Sequence, residues 1–168
     1  MQLRLADGTE LIVRPIEARD AAMLSAGADA LSAETMRRRF LTPKHGLTVA
    51  ELRYLTDVDF IDHHAVVAVH AEDTRRLAGV GRWVRATEDP EAAEMAIVIA
   101  DELQGKGLGT EIGRVLVEAA LRHGVKRFTA TMLAENVAAR RMFARISHEL
   151  HTRVEHGTIA LEAELAAA

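Results

Sequence analysis

The chain has 168 residues, of which 49% are hydrophobic and 27% charged, a composition typical of a globular domain large enough to bury a core. Its formal net charge of −4 argues against a nucleic-acid partner, and the absence of cysteine excludes disulfides and a thiol nucleophile. No stretch resembles a signal peptide or approaches the roughly 20 apolar residues of a membrane span. We therefore expect one cytoplasmic domain over residues 1–168, with no membrane partner and no separate regulatory domain.

The first third of the chain is predicted to contain a β-hairpin followed by three helices. Residues 1–15 predict the hairpin, which turns at Asp7-Gly8. Helical spacing over 19–40 is broken before Ser32, which we expect to be the N-cap of the second helix. Residues 48–56 predict the third helix, which begins with a capping box.

The rest of the chain is predicted to form most of a sheet. We expect strands over 65–69, 77–85, 91–100, 128–132, 148–154 and 157–165. Helical spacing predicts one helix from Leu108 that stops before Gly124, and a second from Asn136 to about Arg145. The alanine-rich tail after Leu165 is expected to fray. The fold class is therefore α+β, with a mixed central sheet flanked by helices.

A glycine-rich segment lies between a predicted strand and the longest predicted helix. It reads Gln104-Gly105-Lys106-Gly107-Leu108-Gly109. Alternating glycines leave backbone amides uncovered, and the helix that follows adds free N–H groups and the positive end of its dipole, so we expect a phosphate site. It is not a P-loop, because Lys106 is followed by Gly107 instead of the serine or threonine that binds magnesium.

A dinucleotide-binding loop is a second interpretation of the same glycines. Gly107-x-Gly109-x-x-x-Gly113 is a variant of that fingerprint, and Glu135 follows the next strand. The fingerprint should follow its strand directly and open a parallel β-α-β unit. Here residues 101–104 intervene and antiparallel hairpins precede, so this alternative stays open but fits less well.

Two motifs resemble the GNAT superfamily of N-acetyltransferases. Gln104-x-x-Gly107-x-Gly109 is similar to its pyrophosphate-binding signature, and Glu135-Asn136-x-x-Ala139 resembles its second conserved region. The order of the predicted elements is also similar. The resemblance implies the acyl-CoA N-acyltransferase fold, with acetyl-CoA as co-substrate and no metal.

Further segments resemble the catalytic domain of bacterial Pat-type protein lysine acetyltransferases. They are Arg14-Pro15-Ile16, Leu31-Ser32-x-Glu34-Thr35, Arg39-Phe40, Leu55-Thr56-Asp57-Val58-Asp59 and Ala93-Glu94. This resemblance implies a lysine acceptor on a protein such as an acyl-CoA synthetase. Many members also carry a regulatory domain, for which this chain is too short.

The resemblance also assigns site residues. Glu94 matches the general base of Pat-type enzymes, and we expect it to lie among the apolar side chains of Met95 and Ile97. The remaining residues are implied to bind the cofactor: Ile97, Val98 and Ile99 for the pantetheine and thioester; Gln104, Gly105, Lys106, Gly107, Leu108, Gly109 and Thr110 for the pyrophosphate; and Asn136, Ala139 and Phe143 for the pantetheine arm. For Lys106, a solvent-facing side chain is an equal alternative.

The chain departs from the superfamily pattern after Asn136. Many GNAT enzymes place a tyrosine seven residues later as general acid for the thiolate, whereas this chain has Phe143, as Pat-type domains commonly do. Ile146-Ser147 replaces the usual Gly-Phe, which leaves the shape of the acceptor pocket open. A small amine as acceptor and a non-catalytic acyl-CoA-binding module therefore remain alternatives.

Three conspicuous segments are interpreted as structural. Arg37-Arg38-Arg39 is expected to form a solvated helix face. His63-His64 should point to opposite faces of a strand, so the two side chains are not expected to share a metal ion. His148-Glu149-Leu150-His151 lacks one spacer residue of the zinc motif H-E-x-x-H.

Overall fold

The computed structural model describes residues 1–166, and its strands form one eight-stranded sheet in the order β1-β2-β3-β4-β5-β6-β8-β7. The elements are β1 (Gln2–Arg4), β2 (Glu10–Pro15), α1 (Ala21–Ala30), α2 (Ala33–Phe40), α3 (Val49–Thr56), β3 (His63–His70), β4 (Leu77–Arg85), β5 (Ala92–Ile99), α4 (Leu108–Arg122), β6 (Arg127–Leu133), α5 (Val137–Ile146), β7 (Glu149–Glu155) and β8 (Thr158–Glu164). All neighbouring strands are antiparallel except β5 and β6. The α+β class with a mixed sheet is confirmed.

The predicted elements are confirmed, with shifts at their ends. Helix α1 begins at Ala21 because a 3-10 turn occupies Ala18–Asp20, and β3 extends two residues before the predicted start, to His63. The capping predictions also hold, since the side-chain oxygen of Ser32 accepts the amide of Thr35 at 3.2 Å. Residues 167 and 168 of the alanine-rich tail lie outside the described residues.

Helices cover both faces of the central strands. On one face, α4 packs Ile112 and Leu116 onto β4, where Gly79 and Gly81 make room for them. A Cβ at Gly81 would overlap the Ile112 side chain, so only glycine permits this close helix–sheet contact. On the other face, α1 and α3 pack on a second apolar cluster that includes Val67 of β3.

The two parallel strands of the sheet separate after three residue pairs. Ala92, Ala93 and Glu94 of β5 pair with residues 127–129 of β6, whereas the antiparallel ladder between β5 and β4 continues to Ile99. The edge of β5 that faces β6 is therefore left without a partner strand from Met95 onward. This split in the sheet leads directly to the glycine-rich segment.

Candidate active site

The loop between β5 and α4 presents a row of free backbone amides. Gly105 and Gly107 have φ angles of +75° and +91°, and a Cβ built at either would meet no atom within 4 Å. These glycines are therefore required by backbone conformation and not by packing, and the space beside them is open. Within residues 1–166, the amides of residues 105–109 donate no hydrogen bond, and α4 begins without a side-chain cap. Such a row at a helix N-terminus fits a phosphate or pyrophosphate.

Gln104 holds this loop in place. Its side-chain nitrogen donates to the Ile99 carbonyl, to the Thr35 hydroxyl and to Asp101, each at 3.1 Å. The side chain is thus committed to the last residue of β5 and to α2. Its backbone amide also donates, to the Asp101 carbonyl at 3.3 Å. Gln104 can therefore contribute to the predicted pyrophosphate loop by positioning the amides that follow it.

Asp101 links the same loop to the start of α2. Its carboxylate accepts the Ser32 amide at 2.7 Å, the Thr35 hydroxyl at 2.5 Å and the Gln104 amide. Burial by itself would raise the pKa of Asp101, but the hydrogen bonds from Thr35, Ser32 and Gln104 outweigh it and hold the pKa below its usual value. The sequence contains no local signal for this network, because Thr35 and Gln104 are 69 residues apart.

Lys106 forms an ion pair at the surface of the molecule. Its ammonium lies 2.8 Å from Asp7 in the β1–β2 turn, and this hydrogen bond is the main cause of a lowered pKa at Asp7. The Lys106 side chain is also exposed, so the ion pair lies at the surface and the two alternatives predicted for Lys106 stay open. Asp7, predicted only as a turn residue, places a carboxylate beside the phosphate-binding loop.

Helix α5 lies next to the glycine-rich loop and the end of β5. A Cβ at Gly109 would lie 3.9 Å from Met142 of α5 and 3.9 Å from Ile99 of β5, so the loop, the strand and α5 meet at this point. Asn136 uses its side-chain oxygen to cap α5 by accepting the Ala139 amide at 3.2 Å. Phe143 is buried in the core and carries no group that could donate a proton.

Glu94 lies at the point where the sheet splits. It is the last residue of β5 that pairs with β6, opposite Thr129, and its side chain is exposed. The expectation that it would lie among Met95 and Ile97 is wrong, because successive side chains of a strand point to opposite faces. Glu94 instead borders an open groove with a volume of about 500 Å³, whose other side chains come from β6, β7 and β8.

Two arginines lie close to Glu94 on the same face. Arg82 of β4 is only 5% exposed and donates to the Leu55 carbonyl and to Nε2 of His63, each at 3.0 Å. Burial, reinforced by the charge of Arg39, lowers the pKa of Arg82 to about 10. Only one feature of the sequence could have indicated the buried Arg82, namely a charged residue at an inward-facing position of a strand.

The interpretation of Arg37-Arg38-Arg39 as a solvated face is wrong for Arg39. Arg37 pairs with Glu135 and Arg38 with Glu34, whereas Arg39, near the end of α2, lines a pocket against the sheet, and burial lowers its pKa. Its guanidinium lies over the ring of Phe40, 4.9 Å from the centroid. Arg39 therefore faces the interior of the molecule.

His63 and His64 point to opposite faces of β3, as predicted. His64 stacks on the buried Trp83 at a centroid distance of 5.7 Å, while His63 contacts Arg82 on the opposite face of β3. In the part of the chain that the structure describes, no group of three or more potential ligand side chains is arranged to hold a metal ion. No helix within residues 1–166 is both long and apolar enough to cross a bilayer.

The split sheet, the free amides and the helix that begins at them define the class of site. Their geometry fits an extended ligand that ends in a phosphate or pyrophosphate, the kind of ligand that the resemblance to N-acetyltransferases implies. The chain belongs to the GNAT acetyltransferase family, because the sequence model of the acetyltransferase (GNAT) domain matches residues 10–147.

Characterised and solved relatives agree with this family. Acetyltransferase Pat of Mycolicibacterium smegmatis is 29% identical over 163 residues, which cover 97% of this chain and 48% of that protein. Acetyltransferase PA5475 of Pseudomonas aeruginosa is 32% identical over 137 residues, covering 81% of this chain and 73% of that protein. The chain thus spans about half the length of M. smegmatis Pat.

The structural comparison gives the same result. The GNAT domain of S. lividans PAT superposes with a TM-score of 0.87 at 26% identity, covering 98% of this chain and 96% of that one. The fold is also shared with yncA from Salmonella typhimurium, solved with its cofactor acetyl-CoA, at a TM-score of 0.73 and 14% identity, over 94% and 95% of the two chains.

Proposed function

We propose that this chain is an acetyl-CoA-dependent N-acetyltransferase that modifies a protein lysine, with Glu94 as general base. The observation that carries the proposal is the position of Glu94, whose exposed carboxylate lies where β5 leaves β6. From Glu94, β5 continues to Ile99 with one free edge, and the open groove that Glu94 borders extends over β6, β7 and β8. The acetyl donor and the acceptor amine would meet at this point.

The cofactor side of the site would be held mainly by backbone groups. The amides of residues 105–109 fit a pyrophosphate, and the unpaired edge of β5 at Ile97, Val98 and Ile99 would bind the pantetheine arm. Acetyl-CoA supplies the acetyl group as a thioester when it is bound. The Gln104 side chain ties the loop to the Ile99 carbonyl and to Asp101. These hydrogen bonds would position the amides before a ligand binds.

On the acceptor side, Glu94 would remove a proton. A lysine ammonium has a pKa of roughly 10.4 in water, so the attacking amine must lose its proton to a base near neutral pH. Glu94 is exposed to the groove and can receive that proton directly or through one water. Phe143 cannot protonate the departing thiolate, so this step would use solvent.

The open groove favours a protein acceptor over a small amine. The groove is open to solvent, and its lining includes Glu94, Thr129, Thr131, Arg153 and Glu162. Small ligands usually bind in concave sites that bury most of their surface, whereas an open face can receive a side chain presented by a larger partner. The acceptor we propose is an acyl-CoA synthetase, as the sequence resemblance to Pat-type protein lysine acetyltransferases implies.

The test is the Glu94→Gln variant, with Glu72→Gln as a control that removes an exposed charge from the β3–β4 turn. Acetylation of a purified acyl-CoA synthetase would be followed as CoA release, and acetyl-CoA affinity by calorimetry. We expect Glu94→Gln to lower kcat by about 10²-fold or more while acetyl-CoA affinity stays within about twofold. The control should match the wild type.

Each other outcome identifies a different error. Full activity of Glu94→Gln would mean that another group is the base. Turnover of polyamines or amino acids but not of the synthetase would replace the protein acceptor with a small amine. Acetyl-CoA binding without turnover of any acceptor would leave a non-catalytic acyl-CoA-binding module.

A further inference from the structure

Arg39 and Arg82 line one pocket on the face of the sheet that carries Glu94. The pocket lies between strands β4 and β5 and helices α1 and α2, and its cavity volume is about 70 Å³. Its other side chains are apolar, among them Leu24, Met36 and Val98. Two guanidinium groups are therefore the polar side chains of an otherwise apolar pocket.

Neither guanidinium has a carboxylate partner. Across residues 1–166, Arg39 and Arg82 form no ion pair, whereas their neighbours Arg37 and Arg38 each have one. Arg82 contacts only a carbonyl and His63, and burial, followed by the charge of Arg82, lowers the pKa of that histidine to about 4. His63 is thus neutral near pH 7 and cannot supply or balance charge.

Two poorly solvated cations side by side are costly without an anion. Removing a charge from water is expensive unless an opposite charge or hydrogen bonds replace the lost hydration. The ring of Phe40 gives Arg39 part of this compensation, and the charge of Glu94 opposes the effect of burial on Arg39. Within residues 1–166, no ion pair with a carboxylate balances the remaining positive charge of these two residues, which line the pocket.

The pocket lies close to the point where the acceptor amine must lie. Arg82 is paired with Ala96 of β5, which points to the same face as Glu94 and is two residues further along the strand. Two residues of a strand span about 7 Å. An acceptor whose lysine lies at Glu94 could therefore place a side chain at the arginines from a position only a few residues away from that lysine.

We infer that Arg39 and Arg82 bind a carboxylate that the acceptor carries close to its lysine. The inference rests on the proposed function and adds to it one chemical property of the acceptor, a carboxylate close to the lysine. Guanidinium groups bind carboxylates through paired, charge-assisted hydrogen bonds. The same chemistry could come from a dicarboxylic acyl group on CoA, and the experiment separates the two sources.

The experiment uses peptides with blocked termini that contain one central lysine and one glutamate. The glutamate is placed in turn at each of the four positions before the lysine and each of the four positions after it. A matched set carries glutamine instead. The measured quantity is the ratio of kcat/KM for glutamate over glutamine, for the wild type, Arg39→Gln and the control Arg38→Gln, whose arginine already pairs with Glu34. We expect a ratio of about 10 or more at one or more positions, retained in Arg38→Gln and reduced to about 1 in Arg39→Gln.

A wild-type ratio near 1 at every position, or a preference that survives in Arg39→Gln, would overturn the inference. Binding of the same peptides to the CoA-loaded protein, measured by calorimetry, tests the pocket without turnover. Tighter binding of a glutamate peptide without acetylation would support the pocket and contradict the proposed function. If Arg39→Gln instead weakens succinyl-CoA relative to acetyl-CoA and leaves the peptide ratio intact, the carboxylate belongs to the acyl group and the acceptor assignment is wrong.

Discussion

Gly107→Ala is the most direct test of the phosphate-binding loop. Gly107 has a φ of +91° and no atom within 4 Å of a built Cβ. Gly124, at the end of α4, has a φ of +76° and is equally free of neighbours, so Gly124→Ala is a matched control. Both substitutions impose the same kind of backbone strain, but only one places a methyl group beside the free amides.

The magnitudes follow from these two facts. A non-glycine residue in the left-handed region costs roughly 1–2 kcal/mol. For a domain of this size, 1 kcal/mol corresponds to about 2–4 °C in Tm, so both variants should unfold roughly 2–8 °C below the wild type. At Gly107 the added methyl would also occupy the open space where we propose that the pyrophosphate binds, so we expect acetyl-CoA affinity to fall at least about tenfold, or about 1.4 kcal/mol.

The assay is calorimetric titration with acetyl-CoA, after thermal unfolding has established the stability of each variant. Gly124→Ala should bind like the wild type in spite of its lower Tm. Equal affinity in Gly107→Ala and Gly124→Ala would refute the assignment of this loop to the cofactor. A loss of affinity in both would show that strain, transmitted through the fold, and not contact with the ligand, is responsible.

Three further predictions concern residues that hold or surround the site. Asp101→Asn removes the charged acceptor that links α2 to the loop, so Tm should fall by roughly 2–4 °C and acetyl-CoA should bind several-fold more weakly, as thermal unfolding and calorimetry will show. Lys106→Met breaks the ion pair with Asp7, in which the side chains are 37% and 38% exposed, so denaturant unfolding should detect little change in stability. The pKa of His63 is about 4 in the folded state against 6.5 for a free histidine, so the folded state binds fewer protons between these values and its free energy of unfolding should decrease as the pH falls from 6.5 to 4. In His63→Asn that decrease should be smaller, as urea titrations at several pH values can establish.

Periodicity and capping residues were sufficient to predict the elements. The spacing of apolar side chains separates strands from helices, and caps such as Ser32 and Asn136 mark helix starts through hydrogen bonds to residues three positions away. Such interactions are local, so the sequence contains them. The same holds for the loop, whose glycines at 105 and 107 adopt the conformation that glycine favours.

The environments of charged side chains could not be predicted in the same way. The surroundings of Glu94 were predicted from its sequence neighbours Met95 and Ile97, but the pleat of the strand places these neighbours on the opposite face and leaves the carboxylate exposed. Arg39 was grouped with Arg37 and Arg38 although a helix turns each residue by about 100° from the last, so that three adjacent arginines meet three different environments. These properties depend on packing between distant segments.

The network around Asp101 connects the two halves of the site. Its carboxylate accepts from the first turn of α2 and from Gln104, which also donates to the last carbonyl of β5. Helix α2 carries Arg39 close to its opposite end, and the loop that follows Gln104 carries the free amides. The cofactor loop and the helix that lines the arginine pocket therefore share one set of hydrogen bonds. A change that loosens the loop should also displace α2, so donor and acceptor binding are expected to be coupled through this carboxylate.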